Sequence, residues 1–167
     1  MKCILLRHGI AVSQEEWEGQ ERERPLTRDG INKTRKAIEG LSHIEIQPTH
    51  LLSSPLRRAL DTAQIMEEVF GLGEIIQVCQ ELISAQPPID LFPVLSQLPE
   101  ESCVICVGHE PHLGQLAAMM ISGRYLPGLS LKKAGACAIQ FEGKPQIGYG
   151  WLEWWMRPSH LRQLKNR

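Results

Sequence analysis

The sequence is short of aromatic residues, of net charge and of long apolar runs. Phe, Trp and Tyr together make up 5% of its 167 residues, and 18 Lys plus Arg nearly cancel 19 Asp plus Glu, for a formal net charge of -1. Binding nucleic acid demands a basic face that neutralises phosphates, so this balance argues against a nucleic-acid partner and leaves an anion site only as a local gathering of arginines. No apolar stretch approaches the roughly 20 residues of a membrane-spanning helix, so no membrane partner is expected. The apolar run before Arg7 is too short for the core of a secretory signal, which makes the cytoplasm the expected location. Metal motifs are missing as well, because the 6 histidines form neither H-E-x-x-H nor a Cys/His zinc pattern. The 5 cysteines are an odd number spread among apolar stretches, which reads as buried free thiols in a reducing compartment. Cys103-Val104-Ile105-Cys106 has the C-x-x-C spacing, but it lies in an apolar run of strand length. There, positions i and i+3 face opposite sides of a sheet and cannot share a ligand.

What is present is an ordinary globular composition, 43% hydrophobic and 22% charged, at a length that suits one domain over residues 1–167. Lys2 to Leu6 reads as a buried first strand, followed by a polar loop or lid from Ser13 to Arg24. Thr27 is placed to cap a helix with Ile31, Ile38 and Leu41 at helical spacing, and His50 to Ser53 reads as a second strand. Ser54 is then expected to cap a helix carrying Leu56, Ala59, Leu60, Ala63, Met66 and Phe70 on one face, with Gly71 as its stop. Strands are expected over 75–78 and 102–107, a short helix over 90–98, and an amphipathic helix from Leu113 to Ile121 closed by Gly123. Residues 136–141 and 149–156 resemble a hairpin, and 159–164 a brief last helix. This alternation predicts an α/β fold: a three-layer α/β/α sandwich whose central sheet is mostly parallel, with an antiparallel edge strand.

In open α/β sheets, ligands bind beyond the carboxyl ends of the strands. Strand one ends in Arg7-His8-Gly9, strand two runs into Ser54-Pro55-Leu56-Arg57-Arg58-Ala59, and the strand over 102–107 into Gly108-His109-Glu110-Pro111. If those strands are neighbours, two histidines and at least two arginines share one rim, which makes a pocket for a dianion. A transferring phosphoryl group spreads charge over its oxygens, and planar guanidinium forks suit that charge. A histidine among arginines is pushed towards its neutral, nucleophilic form and can accept the phosphoryl group.

The three segments Leu6-Arg7-His8-Gly9, Ser54-Pro55-Leu56-Arg57-Arg58-Ala59-Leu60-Asp61-Thr62-Ala63 and Val107-Gly108-His109 resemble the motifs of the histidine phosphatase superfamily, whose fold is phosphoglycerate mutase-like. Arg24-Pro25-Leu26-Thr27, the short length and the ending Trp154-Trp155-Met156-Arg157-Pro158 are similar to its small phosphohistidine phosphatases of the SixA type. The resemblance spans nearly the whole chain. It implies a metal-independent phosphatase without cofactor, in which His8 is the nucleophile and Arg7, Arg58 and His109 bind the phosphoryl oxygens. It selects Arg58 directly before Ala-x-x-Thr, leaving Arg57 as a solvated helix residue. Arg24 is expected either to reach the pocket from its loop or to lie on the surface.

One departure concerns the acid. Mutase-like members carry a glutamate shortly after a leucine in the segment following the third strand, whereas Leu82 is followed by Ile83-Ser84-Ala85-Gln86 and Glu81 precedes it. A missing donor fits phosphohistidine, whose P–N bond breaks easily. Glu110 is the alternative acid, or else a glutamate that compensates a helix dipole. His43, His50, His112 and His160 are expected at the surface or at helix ends. Of Trp151, Trp154 and Trp155, one side of the strand is expected in the core and the other at an edge or partner contact. The leading function is dephosphorylation of phosphohistidine in a protein. The alternatives are a small-molecule phosphomonoesterase or mutase of the same superfamily, and a non-catalytic phosphate-binding module.

Overall fold

The computed structural model describes residues 1–165. Six strands form one sheet: β1 (Lys2–Arg7), β2 (His50–Ser53), β3 (Ile76–Val78), β4 (Cys103–Gly108), β5 (Ala136–Gln140) and β6 (Trp151–Met156), in the spatial order β3-β2-β4-β1-β5-β6. β1, β2, β3 and β4 pair in parallel, β5 runs antiparallel to β1, and β6 antiparallel to β5. The helices are α1 (Arg28–Leu41), α2 (Arg57–Phe70), α3 (Leu91–Ser96), α4 (His112–Ser122) and α5 (Pro158–Leu164).

The period of two along each strand divides the core into two layers. Ile4 and Leu6 of β1 and Cys103, Ile105 and Val107 of β4 pack with Ala37, Ile38 and Leu41 of α1, Ala59, Ala63 and Met66 of α2, and Leu161 of α5. Cys3 and Leu5, with Val104 and Cys106, pack on the other face against Leu91 and Leu95 of α3 and Leu113, Leu116 and Met120 of α4. Cys103 and Cys106 thus lie on opposite faces, as the strand reading of their spacing requires.

Some local expectations are corrected. Thr27 does cap α1, accepting the Gly30 N–H at 2.9 Å, but Ile31 in the first turn is 38% exposed, whereas Ile38 and Leu41 further along are buried. Ser54 does not cap α2: the helix begins at Arg57 after Leu56, whose side chain caps nothing, and the Ser54 hydroxyl is engaged elsewhere. Trp154 packs against the first core layer and Trp155 against the second, each partly buried, while Trp151 and Leu152 at the start of this edge strand are exposed. Gly71 ends α2 in the left-handed region, with φ 62°.

Candidate active site

The sheet order places β2, β4 and β1 side by side, with Ser53 opposite Val107 and Arg7 opposite Gly108. Backbone bonds continue past the strands: His8 N–H donates to Gly108 O (3.0 Å) and Ser54 N–H to Val107 O (2.9 Å). The three chemistry-bearing loops therefore form one rim, with His8, Arg58 and His109 all buried there.

His8 is held by its neighbours on the loop. Its Nδ1 lies 2.7 Å from Gly9 O. A carbonyl can only accept, so Nδ1 carries the proton and Nε2 keeps its lone pair. The loop closes onto α2 through Gly9 N–H to Thr62 Oγ1 (3.0 Å), and Thr62 Oγ1 donates in turn to Arg58 O (2.8 Å). A Cβ on Gly9 would lie 2.1 Å from Thr34 Oγ1 on α1, so this close approach requires glycine. Burial, reinforced by His109, Arg58 and Arg7, lowers the His8 pKa to about 2. The direction is the expected one, but desolvation is the larger cause and the arginines the smaller one.

His109 faces His8 with ring centroids 5.0 Å apart, and burial together with Arg58 lowers its pKa to about 3. Its Nε2 is 2.7 Å from Ser54 Oγ, which accepts the Leu56 N–H at 3.4 Å. The serine proton is then free to donate to Nε2, which places the His109 proton on Nδ1. His109 Nδ1, Arg7 Nε and Arg58 Nε are buried without a hydrogen-bond partner in the protein. A buried donor left unpaired costs about 1–3 kcal/mol, so these three groups favour a ligand rich in acceptor oxygens.

Arg7 Nη1 donates to Leu131 O (2.7 Å), and Leu131 N–H donates to Glu110 Oε1 (2.8 Å). Glu110 Oε2 accepts from Gly114 N–H at 3.3 Å. Burial raises the Glu110 pKa, opposed by those two amides and by Arg7. Both carboxylate oxygens are thus committed to backbone, one to the first turn of α4 and one to the segment before β5.

Arg24 has a 12% exposed side chain and is fully engaged: Nη1 donates to Val12 O (2.6 Å), while Nε and Nη2 each donate to the Glu21 carboxylate at 2.8 Å. Glu21 Oε1 is also 3.1 Å from Arg58 Nη1, so Arg24 reaches the rim through Glu21. Hydrogen bonding from Arg24 is the main cause that lowers the Glu21 pKa. Arg57 points away and pairs with Asp61 at 2.6 Å.

Sequence reasoning missed Glu21, Ser54 and Thr62 as neighbours of the site. Thr62 lies inside the matched segment at one turn's spacing from Arg58, a signal that was available; Glu21 is one of several glutamates in a polar loop and carries none. His112 stands at a helix end, as the first residue of α4, but not at the surface: it is 1% exposed, with both ring nitrogens unpaired and the Glu81 backbone nearby. Among the described residues no group of three or more His, Cys, Asp or Glu converges where a metal could be held. No helix among them is long and apolar enough to cross a membrane. A cleft of about 850 Å³ lies at the opposite end of the strands, beside Met1, Lys2 and Glu101, and holds none of these groups.

Comparison with known proteins bears on this geometry. The profile of the histidine phosphatase superfamily (branch 1) matches residues 3–83. A Picosynechococcus protein of uncharacterised function is 32% identical over 145 residues, 84% of this chain and 85% of that one. The phosphohistidine phosphatase SixA of Escherichia coli is 24% identical over 167 residues, 99% of each chain. A solved structure of the protein histidine phosphatase SixA with tungstate superposes with a TM-score of 0.83 at 24% identity, covering 96% of this chain and 99% of that one. A mycobacterial glucosyl-3-phosphoglycerate phosphatase has the same fold, with a TM-score of 0.69 at 18% identity over 93% and 98%. With the family profile on the segment that carries His8 and Arg58, and a SixA-like fold over nearly its whole length, the chain belongs to the histidine phosphatase superfamily.

Proposed function

We propose that this phosphatase removes the phosphoryl group from phosphohistidine in a protein, through a phosphohistidine intermediate on His8 and without a metal ion. The observation that carries the reading is the pairing of a neutral His8 with three unpartnered donors, Arg7 Nε, Arg58 Nε and His109 Nδ1, around it. His8 Nε2 attacks phosphorus, and the P–N bond of the substrate breaks with its electron pair leaving on the substrate imidazole, which takes a proton from solvent. Water then attacks phosphorus, the P–Nε2 bond breaks, the pair returns to His8, and phosphate departs as the water proton passes to solvent. Arg7, Arg58 and His109 stabilise the charge on the equatorial oxygens in both steps.

The choice of phosphohistidine rests on the carboxylates. Glu21 is held ionised by Arg24 and has no proton to give, and Glu110, although burial raises its pKa, has both oxygens turned to backbone amides and would have to leave one of them to serve a leaving group. An alkoxide leaving group needs such a donor far more than an imidazole does. The similarity to the phosphohistidine phosphatase SixA supports the same substrate class. The test is turnover of a histidine-phosphorylated protein beside serine phosphate and glycerol phosphate, with and without EDTA. Turnover of phosphohistidine at least a hundredfold above the alkyl esters and undiminished by chelator is expected. Equal turnover of the alkyl esters, or loss in EDTA restored by a divalent cation, overturns the reading.

A further inference from the structure

The segment leading into β5 is tied to the catalytic loop on both sides of two lysines. Before them, Leu131 O accepts Arg7 Nη1 and Leu131 N–H donates to Glu110. After them, Ala134 N–H donates to Arg7 O and His8 O (3.1 Å each), and Gly135 O accepts Arg7 N–H (3.1 Å). Between these anchors Gly135 N–H closes a tight turn on Lys132 O at 2.7 Å, with Ala134 at φ 60°. Lys132 and Lys133, both exposed, therefore stand at the rim beside His8 by construction.

Two clefts meet at that turn. One, about 460 Å³, runs between α1 and α5 and is lined by Arg7, Lys33, Lys132, Lys133 and Arg162 together with Ile10, Thr34, Ala134 and Pro158. The other, about 350 Å³, shares Lys132 and adds Arg157, Leu152 and Trp155. No acidic residue lines either one. Lys33 pairs with Asp29, but Lys132, Lys133, Arg157 and Arg162 have no carboxylate of the described residues within 4.0 Å. On the β2 side of the rim the loop that reaches Arg58 is acidic in sum: Glu21 is paired with Arg24 and Arg58 and Glu23 with Arg22, while Glu15, Glu16 and Glu18 have no cation of the described residues within 4.0 Å. A chain of net charge -1 thus has a phosphoryl site with a basic wall on one side and an acidic one on the other. Phosphate alone is served by Arg7, Arg58 and His109, so the outer cations are left for what surrounds it.

We infer that the turn Lys132–Gly135, with Lys33, Arg157 and Arg162, is a docking surface for an acidic stretch of the phosphoprotein flanking its phosphohistidine. The inference rests on the proposed function and adds the sign and side of the partner's charge. Complementary potentials raise the encounter rate and fix orientation, and the acidic loop opposite excludes the reversed pose.

The test uses two labelled peptides of one length around a histidine, one with four flanking glutamates and one with glutamines there, each bare and histidine-phosphorylated. Binding is read by fluorescence anisotropy and turnover by phosphate release, for the wild type and for Lys132→Glu/Lys133→Glu, whose positions are exposed and outside the core. The glutamate peptide should bind at least tenfold tighter to the wild type, should lose that margin in the variant or in 0.5 M salt, and should show its advantage in KM. Turnover of p-nitrophenyl phosphate should be the same in both proteins. Equal binding of the two peptides overturns the surface even if both are dephosphorylated, while tight binding of the glutamate peptide without turnover supports the surface and instead refutes phosphohistidine as substrate. An oligonucleotide of matched charge that binds as tightly as the glutamate peptide also overturns the inference, since the face would then be a general polyanion surface.

Discussion

Acid should weaken this fold well before its carboxylates titrate, and two rings set the least size of the effect. His8 and His109 are buried and neutral, with pKa values lowered to about 2 and about 3, whereas in the unfolded chain each returns to about 6.5. A group whose pKa is depressed by folding contributes stability that is fully present above its unfolded pKa and is lost as the pH falls through the window down to the folded value. Between pH 7 and pH 5 the unfolded state holds on average about 0.7 proton per histidine that the native state refuses. With 1.36 kcal/mol per proton and pH unit, this amounts to about 2 kcal/mol for each ring and about 4 kcal/mol for the pair. The result needs only that both folded values lie well below 5. Urea unfolding at pH 7, 6 and 5 measures it, as midpoints at constant slope. His112, buried with its pKa lowered as well, adds to the loss in the same direction, so His109→Gln should remove about 2 kcal/mol of the pH dependence and leave the rest. A wild-type stability that is flat from pH 7 to pH 5 would refute the burial argument and, with it, the account of why His8 is nucleophilic.

Other outcomes follow from single contacts. His8→Ala should abolish an acid-labile, alkali-stable phosphoenzyme while leaving the chain folded, and Arg58→Ala should keep the nucleophile but slow its phosphorylation by about a hundredfold to a thousandfold, the usual loss for one transition-state donor, in rapid-quench measurements. Gly9→Ala places a methyl 2.1 Å from Thr34 Oγ1 and should cost about 1–3 kcal/mol and most of the activity, whereas adding Thr34→Ala should recover part of both. Glu110→Gln sets an amide donor against one of two backbone N–H groups, so it should destabilise by about 1–3 kcal/mol and lower kcat/KM equally for alkyl esters, aryl esters and phosphohistidine. A loss confined to alkyl esters would instead make Glu110 the acid.

The parts of the fold legible in the sequence are those where one period dominates. β4 is an unbroken apolar run and could only be a strand buried on both faces, and the α2 pattern of Ala59, Ala63 and Met66 could only face a core. His8, Arg58 and His109 were legible because each follows a strand directly, and parallel neighbours bring such positions to one rim. What escaped depends on the third dimension. Ser54 looks like a helix cap from its spacing, yet it is drawn to His109 across the sheet, a partner 55 residues away. His112 does stand at a helix end, as its place before an amphipathic run suggests, yet the ring is buried rather than turned to the surface. Glu21 is one acid among several until the loop folds back and one carboxylate is set on Arg58.

These misplaced residues share a cause, and it explains how the site works. A phosphoryl pocket needs positive charge that is not already neutralised, together with a histidine that is not charged. Water would defeat both aims, by screening the arginines and protonating the ring. Burial meets them together: it weakens the hold of the His8 ring on a proton while strengthening each guanidinium's pull on an incoming anion. The protein then has to satisfy the groups it has hidden, and it does so with backbone and short side chains. Gly9 O holds His8, Leu131 O holds Arg7, the Glu21 backbone and carboxylate hold Arg58, and Ser54 holds His109. Each partner leaves at least one nitrogen free, Nε2 of His8 and Arg7 Nε, Arg58 Nε and His109 Nδ1, and these are the atoms that the proposed reaction sets on phosphorus and on its oxygens. The same tie that fixes Arg7 to Leu131 also fixes Lys132 and Lys133 beside it, so orientation of the phosphoryl group and orientation of whatever carries it are set by one turn of chain.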